Sequence, residues 1–385
     1  MNPHELTADA PGKLVRCPDS YHAFVPNPLA PQLPFDTTTV QLLSEANLAL
    51  GQLAGLGQML PNPHMLIGPF LRREAVLSSR IEGTLATEEE LLLFEASPSK
   101  EPKTPDVREV ANYVKALEYG LARIKELPVC LRLIREIHAR LLEGVRGAER
   151  RPGEFRQIQN YIGQRGQPIE QAHFIPPPVP EMNQALEDFE RFLNAPNELP
   201  FLVQLALIHY QFEAIHPFVD GNGRIGRLLI LLLMCERGPL PKPLLYLSAY
   251  FEQNRDAYAD HLLRVSQAGA WSEWIRFFLK GIAEQSRDAV HRSQQLLDLW
   301  KEYRRKMQTV RASALGLQLV DELFSTPALT IATAAKILDV TFLSARHNIQ
   351  KLVNAGILKE ATGRKRNRVY IALEILNILA PRRNQ

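Results

Sequence analysis

The stretch His216-Pro217-Phe218-Val219-Asp220-Gly221-Asn222-Gly223-Arg224-Ile225-Gly226-Arg227 joins two apolar helical patterns in this 385-residue chain. Upstream, Phe201, Leu202, Leu205, Ile208, Phe212 and Ile215 recur at helical spacing, which predicts an amphipathic helix over 200–215. Pro217 disfavours the right-handed helical conformation at His216 and closes that helix there. Downstream, Leu228 to Cys235 is an unbroken apolar run followed by Gly238 and Pro239. It predicts a buried helix starting near Gly223 or Arg224, with Gly238 as its stop. The segment between them is a short loop that runs into a helix N-terminus.

The residue types in that loop share one chemistry. Free N–H groups and the positive end of a helix dipole form an anion site. Gly221 and Gly223 are expected to supply unusual φ values and to let the backbone approach phosphate oxygens. Arg224 and Arg227 lie three apart, so they project from one side of the first turn, and guanidinium forks match phosphate oxygens. Two arginines at a helix start oppose the dipole unless an anion or acid sits there. Asp220 offers hard oxygen ligands of the kind Mg²⁺ takes while bridging phosphates. His216 can accept a proton near neutral pH and so serve as general base toward an incoming hydroxyl. The run therefore reads as a site for nucleotidyl or phosphoryl transfer from a triphosphate. Gly221 to Gly226 also spells GxGxxG, but a helix precedes it and no βαβ pattern surrounds it, which speaks against a dinucleotide site.

The run matches HxFx[D/E]GN[G/K]RxxR at every specified position, and in this the chain resembles the Fic family. The resemblance implies a mainly α fold: a Fic-type helical core with a short β-hairpin flap. It implies transfer of AMP from ATP to a hydroxyl of a target protein, with the chain itself as an alternative target. By the same resemblance His216 is the base and Asp220 the Mg²⁺ ligand. Gly221, Asn222, Gly223, Arg224, Ile225 and Gly226 belong to the nucleotide-binding loop, and Arg227 holds the γ-phosphate. The related Doc kinases carry Lys at the Gly223 position, so Gly223 favours AMP transfer. Asn254, after Tyr250-Phe251-Glu252-Gln253, falls where the resemblance places adenine contacts.

Ser78-Ser79-Arg80-Ile81-Glu82-Gly83 fits the [S/T]xxxE[G/N] inhibitory motif of the same family. It ends a helix expected over 63–82, with Gly83 as the stop, and Ser78 and Glu82 are four apart on one face. The resemblance implies that Glu82 pairs with Arg227 and competes with the γ-phosphate for one fork. A different use of Glu82, activating water to remove AMP from a modified protein, stays open. Residues 160–175, bracketed by Gly163, Gly166 and the run Pro176-Pro177-Pro178, read as a short hairpin or extended flap, which in Fic proteins lines the target segment by strand addition.

Charge and pattern divide the chain. Residues 301–385 hold 15 Lys+Arg against 6 Asp+Glu, whereas the first 300 hold 30 against 36, for a net charge of +3. The asymmetry predicts a separate basic module. Leu329–Leu338 and Ser344–Ala355 read as helices around a turn at Asp339. A strand from Ile357, a basic hairpin tip at Thr362–Arg368 and a strand Val369–Ile371 follow. That order resembles the C-terminal winged-helix (helix-turn-helix) domain of many bacterial Fic proteins. Arg346, His347 and Lys351 on the second helix, and Arg364, Lys365, Arg366 and Arg368 on the wing, are candidate DNA contacts. Winged helices also bind proteins, so a DNA-binding regulator with a nucleotide-sensing core is the alternative reading.

The expected organisation is an N-terminal region over 1–105, a catalytic core over 106–300 and a winged helix over 301–385. Residues 1–37 are proline-rich and read as an extended arm, followed by a helix over 38–59. Thr87 and Glu90 form a capping box opening another helix, Ser97–Pro105 reads as a loop, and helices are expected over 106–125, 131–142, 187–193 and 271–300. No apolar run approaches the ~20 residues needed to span a bilayer, and the N-terminus lacks a secretory pattern. Cys17, Cys130 and Cys235 are widely spaced, which argues against disulfides or a zinc cluster and for the cytoplasm. The resemblance also implies a homodimer.

Overall fold

The computed structural model describes residues 3–18, 21–59, 64–96, 102, 104–145, 151–163, 166–238, 240, 242–309, 314–364 and 366–380. Lys365, most of the loop expected over 97–105 and the tip of the flap at 164–165 lie outside these. The fold is mainly α.

The chain opens with an antiparallel hairpin, β1 (Gly12–Arg16) and β2 (His22–Pro26). This corrects the reading of 1–37 as an extended arm. The alternation there is short and flanked by prolines, and the strand becomes stable only by covering the flap. Phe24 N–H donates to the Ile175 carbonyl at 2.8 Å, and Cys17, Tyr21 and Ala23 pack on Ala172 and Ile175.

Helices follow in the order read from sequence. They are α1 (Thr37–Met59), α2 (His64–Ile81), α3 (Glu88–Ala96), α4 (Pro105–Arg123), α5 (Leu131–Leu141), α6 (Val179–Asn194) and α7 (Phe201–Ile215). The capping box is present: Glu90 N–H donates to Thr87 Oγ1 at 3.2 Å and Thr87 N–H to Glu90 Oε2 at 3.1 Å. α8 (Asn222–Glu236) comes next, then α9 (Ser248–Gln253), α10 (Arg255–Ala268) and α11 (Trp271–Thr309). α7 and α8 are apolar on nearly all sides and form the centre of the core. α11 runs 39 residues, so the change of charge at residue 301 falls inside a helix.

The C-terminal elements are α12 (Ala314–Leu323), β3 (Ala328–Thr330), α13 (Ile331–Leu338), α14 (Phe342–Asn354), β4 (Lys359–Glu360), β5 (Val369–Ile371) and α15 (Leu373–Leu379). The three strands pair antiparallel in the order β3-β5-β4. The start of the expected helix at Leu329 is instead β3, because Thr330 caps α13 by accepting from Thr333 N–H. This unit is docked on the N-terminal helices. Leu92 of α3 packs against Ala328, Val369 and Ile371, and Arg72 of α2 donates to the Ser325 carbonyl at 3.2 Å.

Candidate active site

α7 ends at Ile215, and His216 takes a left-handed conformation, φ 49° and ψ 60°. That backbone is unfavourable for a residue with a Cβ and is held only where the surroundings impose it. They do so here through four side chains. Arg156 donates from Nε to the His216 carbonyl at 3.0 Å, and also reaches the Ile158 and Pro177 carbonyls at 3.1 and 2.5 Å. Asn160 Nδ2 donates to the Phe218 carbonyl at 2.8 Å. Asn222 closes the loop on itself, accepting from Phe218 N–H at 2.8 Å and donating to the Phe218 carbonyl at 2.7 Å. His138 of α5 stacks on Phe218 with ring centroids 3.7 Å apart.

The histidine tautomers follow from their partners, since a carbonyl only accepts and an N–H only donates. His138 Nδ1 accepts from Gly153 N–H at 2.8 Å, so its Nε2–H donates to the Asp220 carbonyl at 3.0 Å. His216 Nδ1 faces the Glu213 carbonyl at 3.2 Å and carries the proton. Its Nε2 is therefore the lone-pair nitrogen, as a base requires. Burial lowers both imidazoles to about 4, so both are neutral near pH 7.

Gly221, left-handed at φ 80°, is the N-cap of α8, and a side chain there would press on Leu141 and His138. Gly223 is different from expectation: it lies within α8 and has no positive φ. It is glycine for space, since a Cβ would overlap Glu82 Oε1 and come 2.9 Å from Arg227 Nη1. The two arginines leave the first turn toward separate acids. Arg224 meets Glu109 Oε2 at 3.2 Å and Asp220 Oδ1 at 3.4 Å. Arg227 donates to Ser78 Oγ and the Ser78 carbonyl, both at 2.9 Å, and to Glu82 Oε1 at 2.6 Å. Burial works to raise the Glu82 carboxyl, but Arg227 outweighs it and holds the group below the usual carboxylate range.

A pocket of about 480 Å³ lies in front of this loop. His216, Glu213, Gly223, Arg227 and Glu82 line it, together with Ile81 of α2, Ile162 and Phe174 of the flap, and Leu262 and Leu263 of α10. The flap pairs through one antiparallel bridge, Ile162 with Phe174, rather than through regular strands. Ile225 is fully buried in the core and Gly226 packs on Glu213, and neither belongs to the pocket lining. Asn254 is not part of its lining. It sits between α9 and α10 with its side chain donating to the Tyr250 carbonyl at 2.9 Å. In the C-terminal unit Arg346, Arg364, Arg366 and Arg368 are exposed and Lys351 is half-buried.

No sequence motif marks His138, Arg156, Glu109 or Glu213, and Asn160 enters there only as the first residue of the flap. Glu213 alone carries a signal: it is the one carboxylate in the largely apolar run Phe201–Ile215, three residues before His216.

Comparison with known proteins adds an independent observation. Residues 40–122 match the Fic/DOC family N-terminal pattern and residues 128–234 the Fic/DOC family pattern. The chain is 33% identical over 167 residues to the protein adenylyltransferase Fic of Drosophila grimshawi and to that of Drosophila melanogaster. Those matches cover 42% of this chain and only 30% of each relative. Among solved structures, a Fic family protein from Desulfovibrio desulfuricans G20 superposes with a TM-score of 0.57 at 18% identity, over 93% of this chain and 100% of that one. A Fic domain containing signaling protein from Bacteroides thetaiotaomicron VPI-5482 gives 0.51 at 21% identity, over 68% of this chain and 96% of its own. At such identities the structural likeness concerns the fold.

Proposed function

This chain belongs to the Fic/Doc family, and on that basis we propose that it transfers AMP from ATP to a hydroxyl of a protein, restrained by Glu82. The carrying observation is that His216 Nε2, Gly223 at the start of α8 and the Arg227 fork line one pocket, with the Glu82 carboxylate occupying that fork.

ATP entering this pocket sets its phosphates against the first turn of α8, where N–H groups and the dipole favour negative charge. Ile81, Ile162, Leu262 and Leu263 offer an apolar seat for the base, from which Asn254, held by the Tyr250 carbonyl, stands apart. Arg227 grips the γ-phosphate only when Glu82 has let go, because one fork cannot serve two anions at once. His216 then accepts the proton of the target hydroxyl at Nε2 while that oxygen attacks the α-phosphorus. The flap presents the target segment by pairing along its extended edge.

Asp220 fits a Mg²⁺ ion. Its side chain is 29% exposed and its ion pair with Arg224 is long, at 3.4 Å. Mg²⁺ is an ion that takes one or two carboxylates and completes its shell with phosphates and water. When bound, the ion neutralises charge developing on the phosphates. Asp220 would hold it.

Glu82 suits a restraint better than a water-activating base, since Arg227 keeps its carboxyl below the usual range and so weakens it as a base. The C-terminal unit reads as a winged helix whose exposed Arg346, Arg364, Arg366 and Arg368 and half-buried Lys351 are candidate contacts to nucleic-acid phosphates, with a partner protein as the alternative occupant. The test of the main reading is incubation of the purified chain with α-labelled ATP and Mg²⁺, with and without cell extract. Label is expected on protein, more strongly for Glu82→Gly, and none for His216→Ala. Absence of label with both the wild-type chain and Glu82→Gly overturns the proposal.

A further inference from the structure

Behind the base lies a carboxyl that the steps above leave unused. Glu213 sits on the last turn of α7, and two of its groups face the same atom. Its main-chain carbonyl accepts from His216 Nδ1 at 3.2 Å, and its side-chain Oε2 stands 4.0 Å from that nitrogen. The carboxyl is 11% exposed, borders the pocket, and has no hydrogen-bond partner at Oε1. α8 makes room for it: a Cβ on Gly226 would overlap Oε1. A buried acceptor left unsatisfied is costly, so this carboxyl calls for an explanation beyond packing.

We infer that Glu213 is the positioning residue of the base: its carbonyl sets the His216 tautomer, and its carboxyl supplies the counter-charge when the imidazole becomes protonated. This rests on the adenylyl-transfer reading above. Burial pushes Glu213 up to about 8, with Arg227 working to lower it and Glu82 to raise it further. His216, lowered to about 4, is neutral beside it. Near neutral pH the pair thus holds one proton, on the carboxyl. The other titratable or charged groups near the pair are Arg156 and Asp220 at the loop and two neutral groups, Tyr258 of α10 and His209 of α7. Asp256, Asp260 and His173 stand farther around the pocket. None of these places a carboxyl closer to Nδ1 than Glu213 does among the ion pairs formed.

In the productive state the Glu213 proton has passed to water in the pocket. The target O–H bond then breaks as Nε2–H forms, and the oxygen bonds to the α-phosphorus. Pyrophosphate departs with the electrons of the broken P–O bond. Carboxylate and imidazolium face each other at that moment. The imidazolium later returns its proton to water.

The experiment uses the full chain in the Glu82→Gly background, with Glu213→Gln and Glu213→Asp added. AMP transfer is measured from about pH 5 to about pH 9, alongside a carbon NMR titration of the His216 ring. Gln is expected to lower kcat on the order of tenfold to a hundredfold while KM for ATP moves less than about twofold. It should also abolish both the rise in rate through about 8 and the matching inflection in the His216 ring signal. Asp should restore part of the rise. A Gln variant whose pH profile superimposes on its parent overturns the proposal, as does a parent ring signal without that inflection. If Glu82→Gly transfers no AMP at any pH, the adenylyl-transfer reading fails, and the ring titration still decides whether Glu213 and His216 are coupled.

Discussion

Arg227 and Glu82 meet at 2.6 Å although 145 residues separate them in the chain. The contact joins the end of α2 to the first turns of α8. Ser78, one turn earlier on α2, takes two more donors of the same guanidinium. Two of the three guanidinium nitrogens, Nε and Nη2, are thereby held by Ser78 and Glu82. Gly223 lies beneath the carboxylate, and any larger residue there would push Glu82 aside.

Replacing Glu82 by Gly should free this fork. A charge-assisted hydrogen bond contributes about 1.5–3 kcal/mol. Glu82 is 39% exposed, so water already weakens the contact and the lower end applies. ATP affinity is then expected to rise on the order of tenfold. Calorimetric titration of both proteins with ATP and Mg²⁺ checks this, and equal affinities would show that Glu82 restrains nothing.

Stability should pass through a maximum slightly below neutral pH. Burial depresses His138 to about 4, His209 to about 3 and His216 to about 4. The unfolded chain, with ordinary histidines, binds more protons below about 6.5, so stability is lost as pH falls from there toward 4. Glu213 acts in the opposite sense. Its folded value is raised to about 8, so its contribution is full below about 4.5 and is lost as pH rises through 8. Each group contributes a slope of at most about 1.4 kcal/mol per pH unit. Urea unfolding at a series of pH values should show both declines, and Glu213→Gln should make the alkaline one shallower, since Glu74 and Glu88 are also raised by burial.

Arg156→Lys should disable the loop while leaving the protein folded. One ammonium has no planar fork with which to serve the carbonyls of His216, Ile158 and Pro177 together. A released carbonyl costs about 1–3 kcal/mol if it stays buried, and the left-handed backbone at His216 loses its support. AMP transfer is expected to fall about tenfold or more while far-ultraviolet dichroism is retained. Undiminished transfer would mean that the loop holds its shape without the fork.

Gly68→Ala probes the docking of the C-terminal unit on α2. Alanine is the better helix former by about 1 kcal/mol, but a Cβ at this position would overlap the Ser325 carbonyl. A backbone atom cannot step aside as a side chain can, so the clash should prevail and destabilise the chain by about 1–3 kcal/mol. Thermal unfolding decides the sign. A raised melting temperature would show that the contact yields freely.

Local features are legible in the order of residues alone. The helix–loop–helix around His216, the end of α2 at Gly83 and the Thr87–Glu90 box each depend on neighbours within a few residues, and each is present. The N-terminal hairpin is not legible in that way, because β2 exists to back Ile175 and Phe174, which lie about 150 residues away. The extent of α11 past residue 300 escapes for a similar reason. Its later turns are held by partners downstream, Trp300 and Arg304 by Asp321 and Tyr303 by Glu374. At the site, spacing assigns Gly223 to an unusual φ, whereas the constraint on it is the carboxylate of Glu82.

The order of residues established which groups are present and which helix face each occupies, since spacing along a helix is a property of a few consecutive turns. Packing decided which acid meets which arginine: Glu82 with Arg227 and Glu109 with Arg224. Packing also placed the proton of His216 on Nδ1 and raised the carboxyl of Glu213. Those outcomes depend on distances between remote segments and on the removal of water from around charge, and neither is written in the spacing of residues along one helix.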